Sequence, residues 1–110
     1  MARYATHMRI NPGREDEYRE VHRNLPADFR AAMTEAGISN YSIFLDGLDV
    51  YSYLECDDLT QAMERLGAHP TQRRWRANTA HLLEPADPKF QLLDEVFHLE
   101  GSEACQARPR

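Results

Sequence analysis

ISNYSIFLDGLDVYSYLEC, residues 38–56, decides the fold. Two runs rich in β-branched and aromatic residues, ISNYSIFLD (38–46) and DVYSYLEC (49–56), meet through Asp46-Gly47. An Asp-Gly pair between such runs is a tight-turn signal, so the two strands are antiparallel neighbours in a hairpin. Tyr51 and Tyr53 fall on one face of the second strand, where they read as sheet packing.

Toward the N-terminus, RYATHMRI (3–10) alternates, with Tyr4, Thr6, Met8 and Ile10 on one face and Ala5, His7 and Arg9 on the other. A two-residue period marks a strand. Asn11-Pro12-Gly13 reads as a helix start with Asn11 as cap. Glu15, Asp16 and Glu17 then favour the positive end of the helix dipole. This helix is expected to run to about Arg23, and Pro26 to kink or restart it. ADFRAAMTEAG (27–37) gives a second helical piece with Phe29, Ala32, Met33 and Ala36 on its apolar side and Gly37 as its stop.

Toward the C-terminus, DDLTQAMERLGA (57–68) is a helix with acidic residues at its start, and HPTQRRWRANTAHLL (69–83) is another, starting near Pro70 and ended by Pro85 and Pro88. LLDEVFHL (92–99) is expected to be a last short strand, and residues 101–110 a flexible tail after a single domain spanning 1–100. Strand, helix, strand, strand, helix, strand is the ferredoxin-like split β-α-β order of an α+β protein. An antiparallel sheet with helices on one face leaves the other face to be covered. A second copy packed sheet to sheet would cover it, forming a dimeric α+β barrel, so a homodimer is the expected state.

Composition narrows the function. Of the 110 residues 42% are hydrophobic, compatible with a folded core, and no apolar run approaches the roughly 20 residues of a bilayer span. MARYATHMRI lacks the apolar stretch of a secretory signal, which implies a soluble, cytoplasmic protein. The net charge is −5 and QRRWR (72–76) is the only dense basic cluster, so a nucleic-acid partner is not expected. Cys56 and Cys105 have no paired spacing and read as incidental. HxH, HExxH, GxGxxG, phosphate-loop and GxSxG patterns are all missing, so neither a metal nor a cofactor is implied.

The residues suited to chemistry begin with Tyr18 and His22. Four residues of helix rise about 6 Å and complete slightly more than one turn, so the pair projects from one side, with Glu15 close to the same stripe. A phenol and an imidazole there can plug the edge of a core or hold and protonate a small molecule. Polar residues dominate the helix, and the proline break lies just beyond. Tyr41 opens a strand. Trp75 is the only tryptophan and would default to a core anchor, yet Arg73, Arg74 and Arg76 flank it, and a flat ring among donors makes a platform for a sugar. His7 could line either face of the sheet, while His69, His81 and His98 read as structural or solvated.

Taken together, MRINPGREDEYREVH, GISNYSIFLD, TQRRW and LDEVFHL resemble, in order and spacing, the L-rhamnose mutarotase family of small dimeric α+β proteins that interconvert the anomers of a sugar. The resemblance spans nearly the whole globular part. It implies that His22 is the proton donor, that Tyr18, Tyr41 and Trp75 hold a monosaccharide, and that two chains pack sheet to sheet. The chain departs from the family where two adjacent tryptophans usually stand, having Arg74 and Trp75. It departs again after the histidine, with Arg23-Asn24 and Pro26 in place of Asn-Pro and a tryptophan. Two aromatic walls are thereby lost, which leaves L-fucose or another 6-deoxy or neutral sugar as alternatives to L-rhamnose, with Arg74 as a hydroxyl contact. The competing readings are a cofactor-free monooxygenase-like enzyme on the same scaffold and a non-catalytic ligand-binding module.

Overall fold

The computed structural model describes residues 1–86 and 89–101. Pro88 and residues 102–110 of the expected tail therefore lie outside the described residues. The elements are β1 (Ala2–Arg9), α1 (Glu15–Arg23), α2 (Ala27–Glu35), β2 (Ser39–Asp46), β3 (Asp49–Cys56), α3 (Leu59–Gly67), α4 (Pro70–Thr79), a 3₁₀ turn (Ala80–Leu82) and β4 (Gln91–Leu93). The sheet order is β2-β3-β1-β4 with every pairing antiparallel, the ferredoxin-like arrangement expected from the element order. Among the described residues no helix is long and apolar enough to cross a membrane.

The hairpin turns at Gly47, whose φ of +59° is a conformation glycine adopts without penalty. From it, β3 runs through the middle of the sheet against both β2 and β1. Val50, Ser52, Leu54 and Cys56 point from β3 into the helix layer and are buried, Val50 completely. Phe29, Ala32, Ala36, Ala62 and Leu66 of the helices pack over Leu54 and Cys56. A second cluster gathers Ile10, Tyr18, Val50 and Leu82. Cys56, read as incidental in the sequence, is a buried core residue with a free thiol.

Three sequence expectations need correction. Asn11 does not cap α1, which begins at Glu15 with Arg14 before it. The Asn11 side-chain amide instead donates to the carbonyl oxygens of His81 (2.9 Å) and Leu83 (3.0 Å), tying the end of β1 to the end of the α4 region. Those two bonds contribute about 1 kcal/mol each. Secondly, α4 ends at Thr79 rather than near Leu83. The Thr79 hydroxyl turns back onto the Trp75 carbonyl (2.8 Å), the chain tightens into the 3₁₀ turn, and Leu83 bridges to Ile10. Thirdly, the last strand is only Gln91–Leu93, paired to β1 at Ala5–His7. Residues 94–100 keep an apolar pattern but have no neighbouring strand within one chain. Val96, Phe97 and Leu99 are 93%, 79% and 77% exposed there.

One irregularity matters for the site. Ser39 opposes Glu55 and Ser42 opposes Tyr53, so two residues of β2, Asn40 and Tyr41, face one of β3. This is a bulge, and Asn40 takes the left-handed conformation at φ +52°. Strict alternation from Ser39 would send Tyr41 to the open face of the sheet. The extra residue switches it to the helix side.

Candidate active site

α1 forms because acids occupy its first turn and His22 and Arg23 its last, with ion pairs Arg14–Glu17 (3.0 Å) and Glu20–Arg23 (2.8 Å) along its exposed side. Its buried side carries Tyr18, which is 4% exposed and belongs to the core. One turn later His22 lies half-buried against it, ring centroids 4.2 Å apart. The His22 Nδ1–H donates to the Tyr18 carbonyl oxygen at 2.9 Å. Because a carbonyl only accepts, that bond fixes the proton on Nδ1 and leaves Nε2 with a lone pair in the neutral ring. Burial pushes the His22 pKa below its ordinary value, and the bond to Tyr18 opposes that only in part.

α2 and α4 supply the next wall. Trp75 stacks on Phe29 with centroids 5.0 Å apart, and presents its plane at 84° to His22 at 5.2 Å. Phe29, read in the sequence only as core, is therefore the ring that positions Trp75. Arg74 does not join them: its Nη2 pairs with Asp28 Oδ2 at 2.8 Å on the outer surface. Arg76 and Gln72 of the same helix face the cavity instead. The Gln72 side-chain oxygen is buried without a partner. Gln72 entered the sequence reading only as part of the TQRRW stretch, without a role of its own.

His22, Trp75, Gln72, Phe29 and Tyr41 border one open cavity of about 1330 Å³, whose lining also includes Met33, Ile43 and Leu83. A smaller pocket of about 320 Å³ lies on the other side of His22, bordered by Tyr18, Arg19, Ile43 and Leu45. His22 thus touches both. Burial raises the phenol pKa of Tyr18 well above the ordinary value, with the nearby Tyr41 adding to the rise. The Tyr41 phenol, on a residue 40% exposed in the single chain, is raised by partial desolvation. Both phenols stay protonated at neutral pH, so each can donate and accept.

His7 points to the opposite face of the sheet, its Nε2 2.7 Å from Asp49 Oδ1 and its ring beside Tyr51. His69 caps α4, and His81 pairs with Glu17 at 2.6 Å. Among the described residues no group of three or more His, Cys, Asp or Glu could hold a metal ion.

The L-rhamnose mutarotase family model matches residues 3–99. This chain belongs to the L-rhamnose mutarotase family. The L-rhamnose mutarotase of Sinorhizobium medicae (strain WSM419) is 36% identical over 104 residues, covering 90% of this chain and 99% of that protein. The fold is that of the L-rhamnose mutarotase from Formosa agariphila, with a TM-score of 0.77 at 23% identity over 91% of this chain and 100% of that one. It is also that of the tetracenomycin F2 cyclase from Streptomyces glaucescens, with a TM-score of 0.61 at 19% identity over 93% and 99%. The scaffold therefore hosts more than one chemistry, and the reaction has to be argued from the site.

Proposed function

We propose that this member of the L-rhamnose mutarotase family interconverts the α and β anomers of L-rhamnose or a related 6-deoxy sugar such as L-fucose. The observation that carries the reading is His22, its Nδ1 held by the Tyr18 carbonyl and its Nε2 free, bordering a cavity walled by Trp75. Opening a pyranose removes a proton from the anomeric hydroxyl and adds one to the ring oxygen. Closure on the other carbonyl face reverses both transfers. The resemblance implied His22 as the proton donor; its lowered pKa favours the neutral imidazole at rest instead, so in this reading Nε2 accepts the anomeric proton on opening and donates it back on closure. A phenol, Tyr18 or Tyr41, or a water serves the ring oxygen. Trp75 stacks on the C–H face of the sugar, and the unpartnered Gln72 oxygen accepts from a hydroxyl. Arg74, tied to Asp28, takes no part in these contacts.

The working unit is a homodimer packed sheet to sheet. Phe44 (60% exposed) and Tyr51 (39% exposed) stand on the uncovered face, and the apolar residues of 94–100 lie beyond β4. A second copy buries both.

Magnetisation exchange between the anomeric proton signals tests the activity. Wild type should speed α/β exchange of L-rhamnose, L-fucose or both, and His22→Ala should not. If both sugars exchange at the buffer rate across pH 6–8, the reading falls.

A further inference from the structure

We propose that Gln72 is the residue by which the site selects its sugar: its side-chain amide reads one ring hydroxyl other than the anomeric one, which His22 serves. The inference rests on the mutarotase reading and adds to it a determinant of specificity.

Buried side-chain atoms without a hydrogen-bond partner are few among the described residues, and Gln72 is the one residue carrying such an atom that borders the cavity of His22 and Trp75. Its side-chain oxygen has left water without gaining a donor, and its amide nitrogen has no partner among the described residues either. The backbone N–H, by contrast, is held by the His69 carbonyl at 3.1 Å, so the turn of helix that carries the amide is fixed. An orphaned acceptor destabilises a fold and is rare in folded proteins. On a cavity wall it is matched when a ligand brings the donor.

α4 places the amide beside the sugar platform. Gln72, Trp75, Arg76 and Thr79 recur at the spacing of one helix face, and all four border the cavity. The Thr79 hydroxyl is committed to the Trp75 carbonyl at 2.8 Å, and Arg76 can only donate. Gln72 is the neutral side chain on this face still able both to donate and to accept. It stands one turn from Trp75, about 5.4 Å along the axis. The Trp75 ring in turn meets the His22 ring at 5.2 Å. A pyranose lying on the indole with its anomeric carbon at His22 has its other hydroxyls to offer to the neighbouring turn.

The energetics favour discrimination. Because the oxygen is already dehydrated in the free protein, accepting from a sugar hydroxyl strips no further water from it. A sugar lacking that hydroxyl leaves it orphaned, which is how a buried polar group rejects an analogue that cannot bond to it. The terminal amide torsion is broad and roughly two-fold, so the group turns toward its ligand without breaking a bond at either end.

The sole tryptophan borders the cavity, so its fluorescence reports binding whether or not turnover occurs. The probes are L-rhamnose, L-fucose and the 2-, 3- and 4-deoxy forms of each. In wild type one deoxy form should bind about tenfold or more weakly than its parent sugar, the change made by losing one strong hydrogen bond. In Gln72→Leu the parent should fall to the affinity of that deoxy form, bringing their ratio to about one, while the other deoxy forms keep their wild-type ratios. Gln72→Met, unbranched like glutamine, repeats the cycle without a branched side chain on the helix. In both variants KM should rise about tenfold with kcat within about threefold, since the hydroxyl is held alike in ground and transition states. The urea midpoint should hold or rise, because an orphaned oxygen has been removed; a residue serving the fold alone would lower it and shift every sugar equally. L-rhamnose and L-fucose have opposite configurations at C2 and C4 and the same at C3, so the carbon identified tells whether Gln72 chooses between them or admits both. If every deoxy-to-parent ratio is the same in wild type and both variants, or neither parent loses affinity on substitution, the proposal is overturned. Accelerated anomeric exchange would then leave the mutarotase reading standing. A hydroxyl-specific cycle without anomeric exchange of any sugar would overturn that reading instead.

Discussion

The imidazole of His22 hangs from the carbonyl of Tyr18 by a 2.9 Å bond within one helical turn, so a backbone atom sets which ring nitrogen is free. Burial also lowers its pKa, so the neutral ring prevails from below the ordinary value of about 6.5 upward. The anomeric exchange rate should therefore be flat through pH 7–8 and fall on the acid side, with a midpoint below 6.5. His22→Ala should lose about a hundredfold or more of the acceleration, the usual range for a positioned acid or base. Folding follows the same sign. The unfolded chain binds the proton more readily, so His22 contributes stability above pH 6.5 that is lost as the pH falls toward its folded value. Urea titrations of wild type and His22→Ala at pH 5 and 7.5 check this.

Asn40 holds the bulge that aims Tyr41 at the cavity. A β-branched residue is poorly suited to φ +52°, and the left-handed conformation costs an ordinary residue about 1–2 kcal/mol. Asn40→Val should lower stability by about that amount, and Asn40→Gly by much less. If Tyr41 works in the site, Asn40→Val should also slow anomeric exchange as much as Tyr41→Phe does. A stability loss with unchanged exchange would separate the bulge from function.

The hairpin, the proline restart at Pro26 and the Pro70 helix start were legible because each depends on local chemistry that the sequence spells out. The bulge was not: Asn40 is one polar residue in an alternating run, and only the pairing of Ser39 with Glu55 and Ser42 with Tyr53 exposes the extra residue. Asn11 misled for a related reason. An Asn before Pro fits a cap, but the carbonyls left open at the end of α4 were better acceptors, and they lie 70 residues away. In the site, Tyr18 and His22 announced themselves by spacing, and Trp75 by being unique. Arg74 could not be separated from Arg76 without knowing that Asp28 stands across from it. Phe29 carried no mark distinguishing it from packing, and Gln72 stood in the TQRRW stretch with nothing to say that its oxygen would be buried.

Trp75 has a structural and a binding duty that substitution can divide. It stacks on Phe29 and meets the edge of the first hydrophobic cluster. An aromatic pair contributes about 0.5–1.5 kcal/mol beyond its burial. Trp75→Phe should keep the stack and cost about 1 kcal/mol or less. Trp75→Ala should cost about 2–4 kcal/mol, below the top of the range for a buried tryptophan because this one is partly exposed. If the indole face carries a sugar, Trp75→Phe should raise KM with kcat nearly unchanged. Chemical denaturation and anomeric exchange measured on both variants read the two effects apart.

Phe44 tests the pairing of sheets. It stands 60% exposed opposite Tyr51 on the face that carries no helix, and an apolar side chain there gains by leaving water only if something covers it. A lysine at that point would put two like charges into the centre of a symmetric interface, once from each copy. Wild type should sediment as two chains, and Phe44→Lys should shift toward one, with far-ultraviolet circular dichroism unchanged. Phe44→Ala should weaken association less, since it loses only buried area. Wild type sedimenting as a single chain throughout would remove the dimer from the account, and with it the expectation that Val96, Phe97 and Leu99 are covered by a partner.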